Sequence, residues 1–212
     1  MFRVQSTATI RRDALTVLLL LRSSFPFNLS PLIVPRSSMN FHTHDLQAPM
    51  PAIINMPQEW LEHPEVATLR ADATYSVGVH PWWTAEECLD VLIEGVRFWT
   101  LHPQVVRIGE CGLDKLKGGA IDVQECVFIE QVELSERLKK PLTIHCVKAF
   151  DRLLGLRKQL RPTQCWVIHG FRGKPELAQQ LLAAGCDLSF GTLYNEAAFN
   201  LCPPHRRYRE TD

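Results

Sequence analysis

Histidines and acidic residues stand directly after several short apolar segments of this chain. His42 and His44 are two positions apart, so on a β-strand both side chains point to the same face and can bind one metal ion. Four further side chains of the same chemical kind end other predicted strands: Glu110, His145, His169 and, after a more charged segment, Asp212. Imidazole and carboxylate ligands together suit zinc, manganese and similar divalent ions, and a glutamate can bridge two of them. Magnesium prefers more oxygen ligands, so it fits less well as the only ion.

The other histidines of the chain are less alike in their settings. His80, within Gly78-Val-His-Pro81, also ends an apolar segment, and we interpret it as a contact for substrate or phosphate rather than a metal ligand. His63, His102 and His205 each adjoin a proline in a predicted loop, and we interpret them as structural or solvent-exposed. A lone histidine would be weak evidence for a metal site. Four of eight at strand ends, with a glutamate at the matching place on a fifth strand, indicate one.

The elements that must position these residues alternate along the chain. Apolar runs predict strands over 40–44, 52–56, 75–79, 105–109, 142–146, 164–169, 187–190 and, weakly, 207–211. Helical spacing of apolar residues predicts helices over 86–101, 121–138, 150–160 and 174–184. Alternation of this kind predicts parallel strands joined by helices, and eight strands suit a TIM-type (β/α)8 barrel. In such a barrel reactive residues gather at the C-terminal ends of the strands.

Composition excludes several classes of protein. The 212 residues are 46% hydrophobic and 22% charged, which is typical of a folded domain and not of a disordered chain. With 23 basic and 23 acidic residues, the chain lacks the strongly basic character of a histone-like nucleic-acid binder. No run of 18 or more apolar residues occurs, so we expect no membrane-spanning helix.

The charge is divided unevenly between two segments. Residues 1–38 hold five arginines and one acid, so 18 basic and 22 acidic residues remain from Met39 onward, a net charge of −4. A short apolar run follows Arg11 and Arg12, which is typical of a signal or transit peptide. The alternative is that Met39 is the functional start and residues 1–38 are a loosely ordered extension. We predict an extension outside the fold over 1–38 and one barrel domain over 39–212.

The seven cysteines are odd in number and scattered, without a CxxC pair. This pattern argues against a disulfide framework and against a structural zinc knuckle. Free thiols are typical of a reducing compartment, and we therefore predict a cytoplasmic protein.

Six short motifs occur in the order found in the TatD family of metal-dependent hydrolases, within the wider amidohydrolase-like barrels. They are His42-Thr-His44, Gly78-Val-His-Pro-Trp82, Ile108-Gly-Glu-Cys-Gly-Leu-Asp114, Pro141-Leu-Thr-Ile-His145, His169-Gly-Phe-Arg-Gly173 and Glu210-Thr-Asp212. From Met39 to Asp212 the chain resembles a compact subgroup of this family, in which the segment after His44 leaves no room for a first helix.

The resemblance implies a metal-dependent deoxyribonuclease, a 3′–5′ exonuclease that hydrolyses phosphodiester bonds of DNA with a water activated by two divalent ions. It implies that His42, His44, Glu110 and Asp212 hold one ion and that Glu110, His145 and His169 hold the other. It also implies that Glu110 and Asp212 are catalytic and that His80, Lys148 and Arg172 contact phosphate. Family barrels are usually monomeric, so we expect a monomer that binds no membrane.

Three departures from the family pattern lead to further expectations. Asn40 stands where the family has an acid, the last strand is unusually charged, and the chain stops at Asp212, the last expected ligand. We therefore expect a barrel that is incomplete at its C-terminus and not closed. Two alternatives to a nuclease stay open: a truncated barrel without catalysis, and an amidohydrolase-like enzyme that acts on an amide or a lactone.

Overall fold

The structure, a computed structural model, describes residues 39–212. Its eight strands are β1 (Asn40–Thr43), β2 (Ala52–Asn55), β3 (Thr74–Val77), β4 (Val105–Asp114), β5 (Leu142–Val147), β6 (Trp166–Ile168), β7 (Cys186–Phe190) and β8 (Arg207–Arg209). All neighbouring pairs are parallel, and the strands follow chain order around a closed barrel. The predicted TIM-type (β/α)8 fold is confirmed. The expectation for residues 1–38 lies outside the described residues.

Helices connect most of the strands. They are α1 (Gln58–Glu62), α2 (Leu89–Trp99), α3 (Ile121–Leu138), α4 (Phe150–Leu160), α5 (Pro175–Ala183) and α6 (Glu196–Leu201), with 3-10 turns at Pro64–Val66, Pro81–Ala85 and Pro204–Arg206. The bounds predicted for α3 and α4 are confirmed, and α2 begins three residues later than predicted. The short helices α1 and α6 were missed because neither offers enough turns for an apolar stripe to repeat. Residues 44–51, between β1 and β2, hold no helix, as expected.

The expectation of an unclosed barrel is wrong. Strand β8 pairs with β7 over its three residues and with β1 through Arg209 and Asn40. Side chains alternate between the two faces of a strand, so Tyr208 is buried against Phe41, at 4.5 Å between ring centroids, while its two arginine neighbours point outward. The guanidinium carbons of Arg207 and Arg209 both lie 4.0 Å from the ring centroid of Phe199 in α6. The charged strand can form because its arginines stack on Phe199 of α6 instead of facing the core.

Two large apolar clusters lie between the sheet and the helices, one beside β5–β7 and one beside β2–β4. A smaller cluster fills the barrel itself: Phe41, Ile53, Val167 and Tyr208. All seven cysteines are unpaired. Among residues 39–212, no helix combines the length and the apolar character that crossing a membrane requires. The C-terminal ends of the strands lie above the small inner cluster, and the polar side chains gather there.

Candidate metal centre

Glu110 is the centre of the polar cluster at the C-terminal mouth of the barrel. It lies within β4, is 3% exposed, and its backbone N–H donates to Asn55 Oδ1 of β2 at 2.8 Å. The neighbouring strand approaches closely at Gly78, where a Cβ atom would lie 2.7 Å from Gly109 Cα. A side chain at position 78 would push β4 away, so this glycine lets two strands meet directly beside the carboxylate.

One oxygen of the Glu110 carboxylate faces the two histidines of the first strand. Its Oε2 lies 3.3 Å from His42 Nε2 and 3.2 Å from His44 Nε2. His42 is fully buried, whereas the His44 side chain is half-exposed at the mouth. The alternation of the strand therefore brings both imidazoles to the same oxygen, as their spacing predicted.

The other oxygen of Glu110 faces three histidines from three different strands. Its Oε1 lies 2.6 Å from His169 Nε2, 2.9 Å from His145 Nδ1 and 3.1 Å from His80 Nε2. His80 is buried within the cluster, although we interpreted it as a contact at the rim. The carboxylate thus divides the five histidines into two groups, one at each oxygen.

Asp212 reaches the first of these groups. Its Oδ1 lies 3.5 Å from His44 Nε2, its Oδ2 lies 3.9 Å from His169 Nδ1, and its side chain is 36% exposed. The preceding residue is held by Asn40, whose Oδ1 accepts from the Thr211 backbone N–H at 3.1 Å and whose Nδ2 donates to Thr211 Oγ1 at 2.7 Å. Asn40, which departs from the family pattern, therefore fixes the segment that carries the last acid.

Several buried atoms of the cluster lack a hydrogen-bond partner within the described residues: Nδ1 and Nε2 of His42, Nδ1 of His169 and Oε2 of Glu210. His42 Nε2 is near Glu110, but the angles are not those of a hydrogen bond, so only the short separation is meaningful. Leaving a buried polar atom unpaired costs about 1–3 kcal/mol, and such atoms in a native site call for an explanation. A neutral imidazole has one nitrogen lone pair and a carboxylate oxygen has others, and these are what a divalent cation binds, so the residues fit a metal.

The histidines and acids of the cluster form four overlapping groups of three, and within each group the ligand atoms lie within 4.8 Å of one another. These are His42, His44 and Asp212; His42, Glu110 and His169; His80, Glu110 and His145; and His169, Glu210 and Asp212. Imidazole nitrogen and carboxylate oxygen are a donor set suited to zinc or manganese.

The electrostatics of the cluster favour positive charge. Burial alone would raise the pKa of the Glu110 carboxyl, but the positive charge of His169 and the hydrogen bond from His145 hold that pKa well below its ordinary value. Burial would lower the pKa of His169, but the Glu110 carboxylate raises it well above the usual range. The ionised carboxylate therefore holds a proton on His169, and a bound cation would neutralise the same charge.

The pKa values of His44 and His80 shift in opposite directions. The hydrogen bond to Glu110 raises the pKa of His44. Burial lowers the pKa of His80 and outweighs the attraction of Glu110. A neutral imidazole keeps a lone pair available, so His80 has the protonation state of a ligand.

The family model described as TatD-related DNase matches residues 38–212. The chain belongs to this family. Two curated relatives, both named 3′-5′ ssDNA/RNA exonuclease TatD, come from Musicola paradisiaca and Erwinia billingiae. The first is 32% identical over 65% of this chain and 55% of its own length, and the second is 34% identical over 69% and 60%. The chain thus spans little more than half the length of the curated relatives it matches.

Solved structures support the fold of this TatD-family chain. YJJV, a TatD homologue from Escherichia coli K12, aligns with a TM-score of 0.67 at 21% identity, over 84% of this chain and 79% of that one. A TatD-family hydrolase from Entamoeba histolytica aligns with a TM-score of 0.58 at 24% identity, over 76% and 60%. At these identities the likeness concerns the barrel alone.

Two acids of the TatD-family site were missed in the sequence. Asp114 Oδ2 accepts from Trp82 Nε1 at 2.7 Å and lies 3.2 Å from His145 Nε2. Glu210 Oε1 accepts from the Gly170 backbone N–H at 2.7 Å and lies 3.5 Å from His169 Nδ1. Asp114 thus pairs with the ring nitrogen that His145 turns away from Glu110, and Glu210 lies near the corresponding nitrogen of His169. Asp114 and Glu210 both belong to motifs noted in the sequence, those that end at residues 114 and 212, and this could have identified them as site residues.

Lys148 and Arg172 follow β5 and β6 and are both exposed at the mouth. Lys148 has a left-handed backbone, with φ of 54°. Within residues 39–212 neither side chain has an ion pair or hydrogen bond. Their suggested contact with phosphate stays a prediction.

Proposed function

We propose that the chain is a metal-dependent nuclease that hydrolyses phosphodiester bonds, releasing nucleotides from the 3′ end of DNA with the help of two divalent ions. The observation that carries the proposal is the Glu110 carboxylate, whose two oxygens face different groups of histidines. Membership in the TatD-related DNase family and the names of the curated relatives support the substrate class.

The first ion would be held by His42, His44, Asp212 and Oε2 of Glu110, and the second by Oε1 of Glu110 with His145 and His169. His80 is a further candidate for the second site, since it lies at the same oxygen. When bound, two such ions lower the pKa of a shared water and neutralise the charge on the phosphoryl oxygens. Zinc and manganese fit the donor set best, and magnesium suits it less.

The residues around the ions supply position and proton transfer. Asp212 is the one proposed ligand with a partly exposed carboxylate at the mouth, where a water can reach it, so it orients the attacking water and accepts its proton. Lys148 and Arg172 follow β5 and β6 at the same mouth and bind the phosphates of the substrate. Glu110 holds its negative charge through the reaction because its pKa is strongly lowered.

The two alternatives fit the molecule less well. A truncated barrel without catalysis would leave its last acid away from the cluster, whereas β8 pairs with β1 and Asp212 lies 3.5 Å from His44. An amide or lactone hydrolase would use similar ligands, but family membership favours a phosphodiester. The catalytic unit would be residues 39–212, a cytoplasmic monomer acting on nucleic acid, and its unpaired cysteines are consistent with a reducing compartment.

The test is release of nucleotides from single-stranded DNA in the presence of Mn²⁺, Mg²⁺ or Zn²⁺, each compared with chelator. We expect Glu110→Gln and Glu110→Ala to lower the rate by about a thousandfold or more, because both remove the charge shared by the ions. Glu87→Gln, an exposed acid before α2, is the matched control and should leave the rate unchanged.

Two outcomes would contradict the proposal. Activity that survives Glu110→Ala would place the chemistry elsewhere in the chain. A protein that binds metal through Glu110 but cleaves no DNA with any of the three ions would favour the amide or lactone alternative.

A further inference from the structure

Trp82 is an unusually exposed aromatic residue beside the metal cluster. It is 42% exposed, whereas the adjacent Trp83 packs partly buried against an apolar cluster. Its indole N–H donates to Asp114 Oδ2 at 2.7 Å, so one edge of the ring is anchored while a large part of the ring faces solvent. Exposed tryptophans of this kind need a reason, because burying the ring would be favourable.

Two loops hold this ring in place. The Trp82 backbone N–H donates to His80 Nδ1 at 3.1 Å. The loop after β4 packs on the backbone that carries this ring, since a Cβ atom at Gly118, where φ is +88°, would lie 2.1 Å from the carbonyl oxygen of Pro81 and 3.1 Å from Trp82 Cα. Thr84 Oγ1 donates to that carbonyl at 2.7 Å and accepts from the Gly119 N–H at 3.0 Å. The ring is therefore preorganised, which lowers the entropy cost of binding to it.

The Trp82 ring also lies beside two histidines of the cluster, and the Lys117 ammonium lies above it. Its centroid is 4.8 Å from that of His80 and 5.9 Å from that of His145. The ammonium of Lys117, an exposed side chain, lies 4.0 Å above the ring centroid. An exposed aromatic ring, an adjacent exposed cation and the proposed metal ligands therefore lie side by side, and these are the groups that contact the base and the phosphate of a nucleotide.

We propose that Trp82 and Lys117 form a subsite for the nucleobase and phosphate of the nucleotide next to the bond that is cut, an inference that rests on the proposed nuclease function. The base stacks on the indole and displaces the Lys117 ammonium, which then pairs with the neighbouring phosphate. A base–aromatic stack strengthens binding by about five- to a hundredfold, whereas an exposed cation–π contact contributes about two- to fivefold. The exchange is therefore favourable even before the phosphate contact is counted.

The subsite has a consequence for substrate choice. A base in a duplex is already stacked on both faces and must be pulled out before it can stack on Trp82. A base at a single-stranded end is free to do so. The subsite therefore selects unpaired nucleotides without reading their sequence, since every base has a stacking face.

The test compares two 5′-labelled strands of eight nucleotides, one of thymidines and one of stable abasic residues, bound by the full chain in chelator and followed by fluorescence anisotropy. We expect the wild-type chain to bind the thymidine strand at least about tenfold more tightly. Trp82→Ala should bring the two dissociation constants together. Trp82→Phe, which keeps a stacking ring but loses the bond to Asp114, should keep most of the difference.

Two further variants separate stacking from charge. Lys117→Met should weaken binding of the thymidine strand more than that of the abasic strand, because the ammonium leaves the ring for the phosphate when a base takes its place, and should still leave a preference for the thymidine strand. Leu116→Ala removes another exposed apolar side chain of the same loop, 69% exposed, and should behave as the wild type does.

The subsite would be refuted if Trp82→Ala bound the two strands with the wild-type ratio, or if the wild-type chain did not distinguish them. Failure of the nuclease proposal looks different. In that case the wild-type chain would prefer the thymidine strand but would not cleave it when Mn²⁺ is added.

Discussion

The two ends of the barrel differ in how fully their buried charged groups are paired. At the N-terminal end of the strands, Asp187 at the start of β7 accepts from Arg206 Nε at 2.8 Å. The same guanidinium donates to the carbonyl oxygens of Leu182 and Cys186 at 3.0 and 2.6 Å. Arg107, inside the barrel near this end, donates to Thr143 Oγ1 and to a carbonyl of the neighbouring strand. Most charged groups are paired here, although Arg157 Nη1 and Trp166 Nε1 are buried without a hydrogen-bond partner among the described residues.

At the C-terminal mouth, charged groups and partners do not match. The imidazoles of His42 and His169 and the carboxylate of Glu210 are buried with atoms that lack a hydrogen-bond partner, around a Glu110 whose pKa is strongly lowered. Buried polar groups that are fully paired contribute to stability, whereas buried groups left unpaired lower it unless a ligand completes them. The contrast assigns stability to one end of the barrel and ligand binding to the other.

The largest effect should come from breaking the charge pair at the N-terminal end of the strands. Asp187→Ala removes the acceptor of the Arg206 guanidinium and should lower the free energy of unfolding by about 3 kcal/mol, at the lower limit for a buried pair because Arg206 is partly exposed. Urea unfolding measures this change, with Asp122→Asn on the surface of α3 as the control. A loss of metal binding in Asp187→Ala, measured by calorimetry under folding conditions, would contradict the division between the two ends.

A metal ion should stabilise the chain only by binding to the cluster at the C-terminal mouth. At a hundred times its dissociation constant, one bound ion adds about 2.7 kcal/mol to the free energy of unfolding, which raises the melting temperature by roughly 5–10 °C. Thermal melting with Zn²⁺ or Mn²⁺, reversed by chelator, measures the shift. Glu110→Gln should lose it and Asp187→Ala should keep it. An equal shift in Glu110→Gln would mean that the ion binds outside the cluster.

Asp114→Asn should weaken metal binding at the mouth without removing a proposed ligand. The acid binds Nε2 of His145, which orients Nδ1 toward Glu110. Loss of such a partner typically costs about ten- to a hundredfold in metal affinity. Metal titration of Asp114→Asn, with Asp122→Asn as the control, measures this loss. Unchanged affinity would show that the packing of His145 suffices to orient it.

The smallest effect should be a pH-dependent contribution of Glu136 to stability, at the same N-terminal end of the strands. Burial would raise the pKa of Glu136, but hydrogen bonds from Thr163 and Gln164, in the loop before β6, lower it below 4.5. The folded pKa lies below the unfolded one, so this stabilisation is present above pH 4.5 and is lost as pH falls through the folded pKa. Glu136→Gln should cost about 1 kcal/mol at pH 7 and almost nothing at the acid end of the range in which the protein stays folded. A cost independent of pH in urea unfolding would mean that the ionised carboxylate is not the cause.

The sequence allowed the fold and most of the mouth to be predicted, for a local reason. Strands, helices and the spacing of His42 and His44 follow from patterns within a few residues, and α3 and α4 were predicted at their observed bounds. The roles of Asp114 and Glu210 were not predicted, because each depends on a histidine far away along the chain. The prediction that the barrel is not closed at β8 was wrong. Arg207 and Arg209 are unfavourable in a strand by sequence alone, but in the fold they pack on Phe199 of α6.

By itself, the sequence determined which residue types stand at the ends of which strands, because a parallel barrel brings all its strand ends to one mouth. Only the tertiary structure decided how those residues share the space. It places His80 inside the cluster and divides five histidines between the two oxygens of Glu110. It also ties the final residues to β1 through Asn40, so that Asp212 reaches the cluster. Distances between side chains on different strands depend on closure and register, and these are properties of the packed barrel rather than of any one segment.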